Sequence, residues 1–531
     1  MTNVNDILRD HVTLMVDCMD RIYLNGYIPN LQVPGQLVNF LTKHRGNPVP
    51  SPALLGQIGQ KFHDAVKAFA QENDIPIVRF EPRQRKDEIA AEHRRAFTKR
   101  EGVVFIGVAQ EKANSFKATK KAKKGNFVSF EFSRQSVRVT HYYFYLQDVD
   151  FGPGFIKVCS YVPYPIKVYL NGHEWAKQQL DKAGIEFETL DNGFQSCQDP
   201  EKLQAICDQL GPEQIQAFFD KWVEHLPMPL TSEDREAGYR HRLSVWQVEI
   251  SRTQVFDDPV RGREFFEAVI KENLDLGRPD RVQLVFDRKI IGSTPGRFRT
   301  RVIENGVNPN LYIEYKKSLV KQYFKENRAL RTETIINDPK DFGVRMDISN
   351  LPFLQRIGHE INRRLLDVQR VSHNCHLSQE SLARVVLPTI NPDGQRAPGL
   401  RFGQARTMAL LAALTLFVHN VSGFRHRDLL PQVADLLGSE YSTHQLTYDL
   451  RRLRLKGMIW RVPHSHRYLI TPYGCKVALF FTRLHASVFR PGFAALDPSV
   501  PIPGPLAQAL SDVEQEVTNL INQAHVAPSQ I

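Results

Sequence analysis

The chain is poor in the features that place a protein quickly. Its six cysteines (Cys18, Cys159, Cys197, Cys207, Cys375, Cys475) lie far apart and none forms Cys-x-x-Cys. That excludes a disulfide-stapled scaffold and fits reduced thiols, so a cytoplasmic protein is expected. The nearest approach to a ligand cluster, His373-Asn374-Cys375-His376, has no second ligand pair at a metal-binding spacing. The most apolar helical stretch, Leu410 to Val418, is too short to span a bilayer. The N-terminus lacks a charged lead followed by an apolar core, so no signal peptide is expected. There is no internal repeat of roughly 20–50 residues, no His-hydrophobic-His motif, and no catalytic signature in one stretch.

What is present is enough apolar material for several cores and an uneven distribution of charge. The chain has 531 residues, 42% hydrophobic and 10% aromatic, which suits roughly three or four folded domains. The formal net charge is +11. Arg79 to Asn126 holds 14 Lys+Arg against 6 Asp+Glu, and Arg401 to Arg490 holds 13 against 4. The remainder is therefore slightly acidic. Basicity focused in two places is what a protein that grips a polyanion needs.

Periodicity and punctuation predict an α+β multidomain chain. Residues 1–74 read as a helical region, with an amphipathic helix over 5–22 and a second helix opened by Ser51-Pro52. Residues 75–197 read as a mixed α/β domain with a Lys-dense loop at 117–124, and Asn171 as the cap of a following helix. A helical middle spans 198–276, and a β-rich region, antiparallel in pattern, plus a helix spans 277–387. Residues 400–490 follow the order of a winged helix: three helices, strand, tight turn, strand, helix. Residues 491–531 form a Pro-rich strip and a last amphipathic helix, a candidate dimerisation element.

The stretch Leu446-Thr-Tyr-Asp-Leu-Arg-Arg-Leu-Arg-Leu-Lys-Gly-Met-Ile-Trp-Arg461, closed by Arg467-Tyr-Leu-Ile-Thr-Pro-Tyr-Gly474, resembles bacterial winged-helix regulators. The chain as a whole is similar to a set of bacterial proteins of this length with a C-terminal winged helix, some of them tied to mobile elements. The resemblance implies a recognition helix in the major groove and a wing on the backbone. Ser442, Thr443, His444 and Gln445 then reach base edges, Arg451, Arg452, Arg454 and Lys456 neutralise phosphates, and His464, His466 and Arg467 sit on the wing. Further cation candidates are Lys117, Lys120, Lys121, Lys123 and Lys124 in the basic loop, and Arg297, Arg299 and Arg301 at period two on a strand. Tyr315-Lys316 followed by Arg331-x-Glu333 resembles the later sheet of rolling-circle replication initiators, in which a Tyr such as Tyr315 or Tyr323 attacks the phosphodiester. Arg331 and Glu333 also read as a buried structural ion pair.

Carboxylates near strand ends supply the candidate chemistry. Glu111, Asp148, Asp150 and Glu174 are the candidate catalytic residues, with Glu111, Asp148 and Asp150 the ligands of Mg²⁺ or Mn²⁺. Acids also suit turns and helix N-termini for structural reasons alone. The expected function is nucleic-acid binding, DNA before RNA, with metal-dependent phosphodiester processing of the nuclease or transposase kind in a mobile-element protein. Two alternatives stand beside it: a non-enzymatic DNA- or RNA-binding accessory factor, and a ligand-responsive transcriptional regulator. No membrane partner is expected, and a homodimer is a candidate assembly.

Overall fold

In the computed structural model, β1 (Val12–Tyr27) lies inside an eleven-stranded sheet. The structure describes residues 11–484, apart from 48, 122–129, 261, 264–265, 267–285, 287–295, 306–307, 374–378, 391–393, 416–423 and 464, together with Asp512 and Gln515. The chain divides into two compact units, Met1–Val282 with Gly292–Leu366, and Gln283–Ile291 with Asp367–Ile531.

The sheet of the first unit collects β2 (Ile77–Arg79), β3 (Gly102–Lys120), β4 (Phe130–Asp148), β5 (Gly152–Cys159) and β6 (Ile166–Asn171) on one side of β1. The short hairpin β7 (Phe187–Leu190) and β8 (Gly193–Cys197) stands apart from it. On the other side of β1 come β9 (Arg242–Phe256), then β10 (Arg297–Asn305), β11 (Asn308–Lys316), β12 (Ser318–Lys325) and β13 (Ala329–Ile336). The order is β10-β11-β12-β13-β9-β1-β6-β5-β4-β3-β2. Every pairing is antiparallel except β2 with β3. The two β-regions expected as separate domains are thus halves of one mixed sheet, joined through β1 and β9.

Both joining strands overturn an expectation. The helix over 5–22 is a strand where described, because Leu14, Val16, Cys18, Ile22 and Leu24 are all buried between β9 and β6. A short apolar run does not by itself separate the two periods, and sheet context decided it. The helical region 198–276 is interrupted by a strand: α4 (Pro200–Gln209) and α5 (Pro212–His225) precede β9, and the residues described just after it, among them Pro259, Val260, Gly262 and Arg263, are helical again. The stretch expected as a Lys-dense loop begins instead as strand, since β3 continues to Lys120.

Helices cover the sheet as their apolar stripes direct. In α1 (Pro52–Glu72), Phe62 sets its ring edge-on to Tyr142 of β4 at 5.3 Å. In α6 (Leu351–His373), Gly358 lets the helix rest on Ile250 of β9, and Asn362 bonds both Ile250 O (2.9 Å) and Thr334 Oγ1 (2.7 Å). On the opposite face, α2 (Lys86–Ala96) covers only the β3–β4 end, through Lys86 and Ala90. Asn171 caps α3 (Gly172–Ala183) as expected, its side chain accepting from the backbone N–H of His173 and Glu174.

The second unit runs α7 (Ala405–Leu414), β16 (Phe424–Arg425), α8 (His426–Leu437), α9 (Thr443–Leu455), β17 (Ile459–Arg461), β18 (Arg467–Ile470) and α10 (Pro472–Leu484). The strands β14 (Thr389–Ile390) and β15 (Arg396–Ala397) form a separate two-residue ladder. The other three strands form an antiparallel sheet ordered β16-β18-β17. One core holds them, built from Leu410, Leu414, Leu429, Leu446, Leu450, Leu453, Ile459 and Phe481 among others. Ser442 and Gln445 open α9 with a reciprocal capping box. Gly457 follows α9 at φ +72°, a left-handed position that suits glycine.

The start of α3 is the tightest point against the central strand. A Cβ on Gly172 would lie 1.9 Å from Met19 O, a backbone atom that cannot swing away. Gly172→Ala is expected to lower stability by about 1–3 kcal/mol in urea unfolding, as overpacking does. An unchanged denaturation midpoint would show that α3 can move off β1.

Candidate functional site

The β1–β9 ladder contains an irregularity that builds the most chemically loaded point of the first unit. Met19 pairs with Ile250 and Ile22 with Val248, so two residues, Asp20 and Arg21, stand opposite one, Glu249. A bulge of this kind re-aims side chains. On the neighbouring strand Glu333 pairs with Ser251, two positions along the same face as Glu249. Asp20, Glu249 and Glu333 each bring a carboxylate oxygen within 4.8 Å of the others, and all three are buried.

Arg331, with no exposed surface, is the countercharge. Its guanidinium meets Asp20 Oδ2 at 2.6 Å and Glu333 Oε1 at 2.7 Å. It also donates to Asn192 O in the β7–β8 turn and to His173 Nε2 at 2.7 Å. A guanidinium only donates, so His173 Nε2 is the acceptor. The expected Arg331–Glu333 ion pair is therefore present, enlarged into a network. Tyr323 donates to Glu333 Oε1 at 2.8 Å; burial and the neighbouring Glu333 raise its phenol well above the ordinary range. Tyr315 is buried at 2% exposure.

The three carboxylates are not equivalent. Burial opposes ionisation of Asp20, but Arg331 outweighs it and holds the group at about 2. Glu249 accepts from Gln247 Nε2 at 3.1 Å and has no ion pair among the described residues. Burial, with Asp20 beside it, pushes Glu249 up to about 7. As hard oxygen donors the three suit Mg²⁺ or Mn²⁺, although Arg331 already balances two of them.

The carboxylates picked out in the sequence do not converge on one point. Glu111 lies within β3, bonded to Lys86 Nζ and Tyr143 Oη at 2.6 Å each and to Lys157. Burial works against its ionisation, and these three partners hold it at about 2. Asp148 is buried at the β4–β5 turn, where it accepts from the backbone N–H of Asp150 and Phe151, from Lys221 (2.9 Å) and from Trp222 Nε1 (2.8 Å). Asp150 pairs with Lys182, and Glu174 pairs with Lys177 at 2.7 Å in the first turn of α3. Each has a local structural partner. The triad is not legible in the sequence, because both β1 and β9 lie in stretches whose pattern predicts helix. The signal that existed was Glu249, Ser251 and Thr253 at period two.

The cation candidates divide similarly. Lys117, Lys120 and Lys121 are exposed, whereas Lys123 and Lys124 lie outside the described residues. Arg297 is exposed on β10; the side chains of Arg299 and Arg301 lie outside the described residues, as does His464. In the second unit Ser442, Thr443, His444, Gln445, Arg451, Arg454, His466 and Arg467 are exposed, with Ser442 and Gln445 engaged in the cap. Lys456 corrects the expectation of a phosphate contact. It is fully buried, donating to the carbonyls of Arg384 and Leu387 at 2.9 Å each, and burial lowers its ammonium to about 8. Arg452 is turned inward to Asp449 at 3.1 Å. Tyr448, Trp460 and Arg461, which carry no charge or motif signal of a site beyond Arg461's own guanidinium, are exposed as well.

The chain matches no protein-family model, and no similar curated protein or solved structure was found. No described helix is long and apolar enough to cross a membrane.

Glu249 gives the triad a pH signature. The folded chain keeps this proton up to about pH 7, whereas an unfolded glutamate releases it near 4.5. Folding therefore binds a proton between those values, and this contribution to stability, complete below pH 4.5, is lost as pH rises through 7. The loss is about 3 kcal/mol. The stability difference between wild type and Glu249→Gln, measured by urea unfolding from pH 4 to 8, should change by that order. A pH-independent difference would refute it.

Proposed function

We propose that the chain is a nucleic-acid-binding protein whose C-terminal unit is a winged helix that docks on duplex DNA. The helix, strand and turn order and the β16-β18-β17 sheet support the reading. The observation that carries it is the sidedness of α9. Its exposed positions include Thr443, His444, Thr447, Tyr448, Arg451 and Arg454, while its one acid, Asp449, has no exposed surface and is held by Arg406, Tyr441 and Arg452. A helix face freed of carboxylates in this way suits a phosphate-lined groove. The strand pair β17–β18, with Trp460, Arg461, His466 and Arg467, is the wing on the adjacent backbone. Base-edge contact falls to Thr443, His444 and Thr447, since Ser442 and Gln445 are committed to the cap.

The test is anisotropy on a labelled DNA duplex across a salt series. Arg451→Ala/Arg454→Ala should weaken binding and lower the slope of log K against log salt by about 2, close to one per lost phosphate contact. A slope equal to wild type would remove α9 from the interface. An RNA duplex in parallel tells the two polymers apart.

A second reading, metal-dependent phosphodiester cleavage, is favoured by one observation: Glu249 has no ion pair among the described residues, while two further carboxylates each bring an oxygen within 4.8 Å. It moves the candidate chemistry from Glu111, Asp148, Asp150 and Glu174 to Asp20, Glu249 and Glu333. Labelled DNA and RNA incubated with Mg²⁺ or Mn²⁺ should be cut by wild type and not by Glu249→Gln. Intact substrate in every lane would leave binding alone.

A further inference from the structure

Residues of β1, β5 and β6 alternate between fully buried and half-exposed positions, so one face of the sheet is open between α2 and the carboxylate triad. The open face is not the polar surface that such a position ordinarily carries. Trp246 of β9 is 38% exposed, and its ring meets Tyr23 of β1 edge-on at 6.0 Å. Tyr23 lies 4.9 Å from Tyr169 of β6, and Tyr169 stacks on Phe155 of β5 at 5.3 Å. Four adjacent strands thus each contribute one aromatic ring to a continuous row.

Cations line the row. Lys167 holds its ammonium 3.3 Å over the Trp246 ring, and among the described residues no carboxylate pairs with it. Beside it opens a cleft of about 430 Å³ whose lining includes Lys112, Arg134, Lys157 and Lys167, with Glu111 as its acid. That carboxylate is already bonded to Lys86, Lys157 and Tyr143. Arg21, exposed by the bulge, adds a cation where the row meets the triad. Among the described residues the cleft therefore carries positive charge that no further carboxylate balances, next to aromatic rings.

We propose that this face binds single-stranded nucleic acid, its bases stacking along Trp246, Tyr23 and Tyr169 and its phosphates entering the cleft beside Lys167, Lys112 and Arg134. Stacking rings select unpaired bases, because a duplex keeps its base faces to itself. The row would serve a phosphate-bearing polymer better than an apolar partner, since cations flank it along the cleft. This site is separate from the one on α9 and stands or falls without it.

The experiment uses the full chain carrying Arg451→Ala/Arg454→Ala, so that duplex docking by α9 does not contribute. Fluorescein-labelled oligo-dT and oligo-U are titrated by anisotropy. Binding of either supports the proposal, and the tighter of the two identifies the sugar. Adding Trp246→Ala should weaken binding about tenfold or more, within the range for one stacked base. Trp246→Phe, which keeps a ring and the packing, should retain most of the affinity at an unchanged melting temperature. Lys167→Gln should lower the salt slope by about 0.7, one phosphate on a single strand. No binding of either oligonucleotide overturns the proposal. So does binding that Trp246→Ala and Lys167→Gln both leave intact, or a Trp246→Phe variant that melts normally and loses as much as the alanine.

Discussion

Arg331 is a full positive charge with no exposed surface, and the centre of the sheet is arranged around it. An ion in such a place is tolerated when its charge is balanced nearby and hydrogen bonds take up its donors. Here the partners come from four separate parts of the fold: the ion-paired carboxylates of Asp20 at the β1 bulge and Glu333 on its own strand, and two further acceptors, the Asn192 carbonyl in the β7–β8 turn and His173 at the start of α3. No local segment could satisfy this guanidinium alone. The bulge brings Asp20 onto the face where Glu333 already stands, and the close seating of Gly172 on β1 brings His173 to the same point. The polar centre thus fixes the register of β1 against β9 and the position of α3 together.

The same residues explain which parts of the fold the sequence revealed. Segments legible in the sequence are those whose buried positions are apolar and whose ends are marked: β5 and β6, α1 behind Ser51-Pro52, α3 behind Asn171, and α7 to α10 with β17 and β18 in the second unit, whereas the short β14, β15 and β16 are not legible. β9 hides because Glu249, Ser251, Thr253 and Gln254 are polar yet buried, so its inward positions do not announce themselves as hydrophobic. β1 hides because the bulge interrupts its alternation at Asp20 and Arg21. The rules of pattern fail at the point where polar chemistry is concentrated, which is where they are expected to fail. Lys456 is a different case. It follows Leu446, Leu450 and Leu453 at helical spacing and so continues the buried stripe of α9; its charge predicts the outer face, and its position decides for the inner one.

In the second unit one buried ion group orders the surface. Asp449 draws Arg406, Arg452 and Tyr441 inward, and Lys456 is held by backbone carbonyls. What remains outside on α9 is hydroxyl, imidazole, phenol and the guanidinium groups of Arg451 and Arg454. Half of the basic residues counted on this helix and its end are structural. Burying them with the acid leaves a smaller, unmixed set of cations facing outward. For a polyanion this matters more than the total, because a carboxylate on the contact face would repel phosphate as strongly as a lysine attracts it.

The first unit handles its acids by the same logic. Glu111, on the face that carries the aromatic row, is neutralised by Lys86 and Lys157, and Asp20 and Glu333 are neutralised by Arg331. Glu249 is the one of these carboxylates without a described ion pair, and its burial beside Asp20 makes it the group that retains a proton near neutral pH. In that state it adds no negative charge where Arg21 and the row of rings meet the triad. A metal ion on the three carboxylates would have the opposite consequence for Glu249, drawing its proton off, while still cancelling its charge toward an approaching phosphate. Either way, the carboxylate end of the open face stays compatible with a polyanion, and under the two readings proposed above the choice between proton and metal at Glu249 is what separates holding a strand from acting on it.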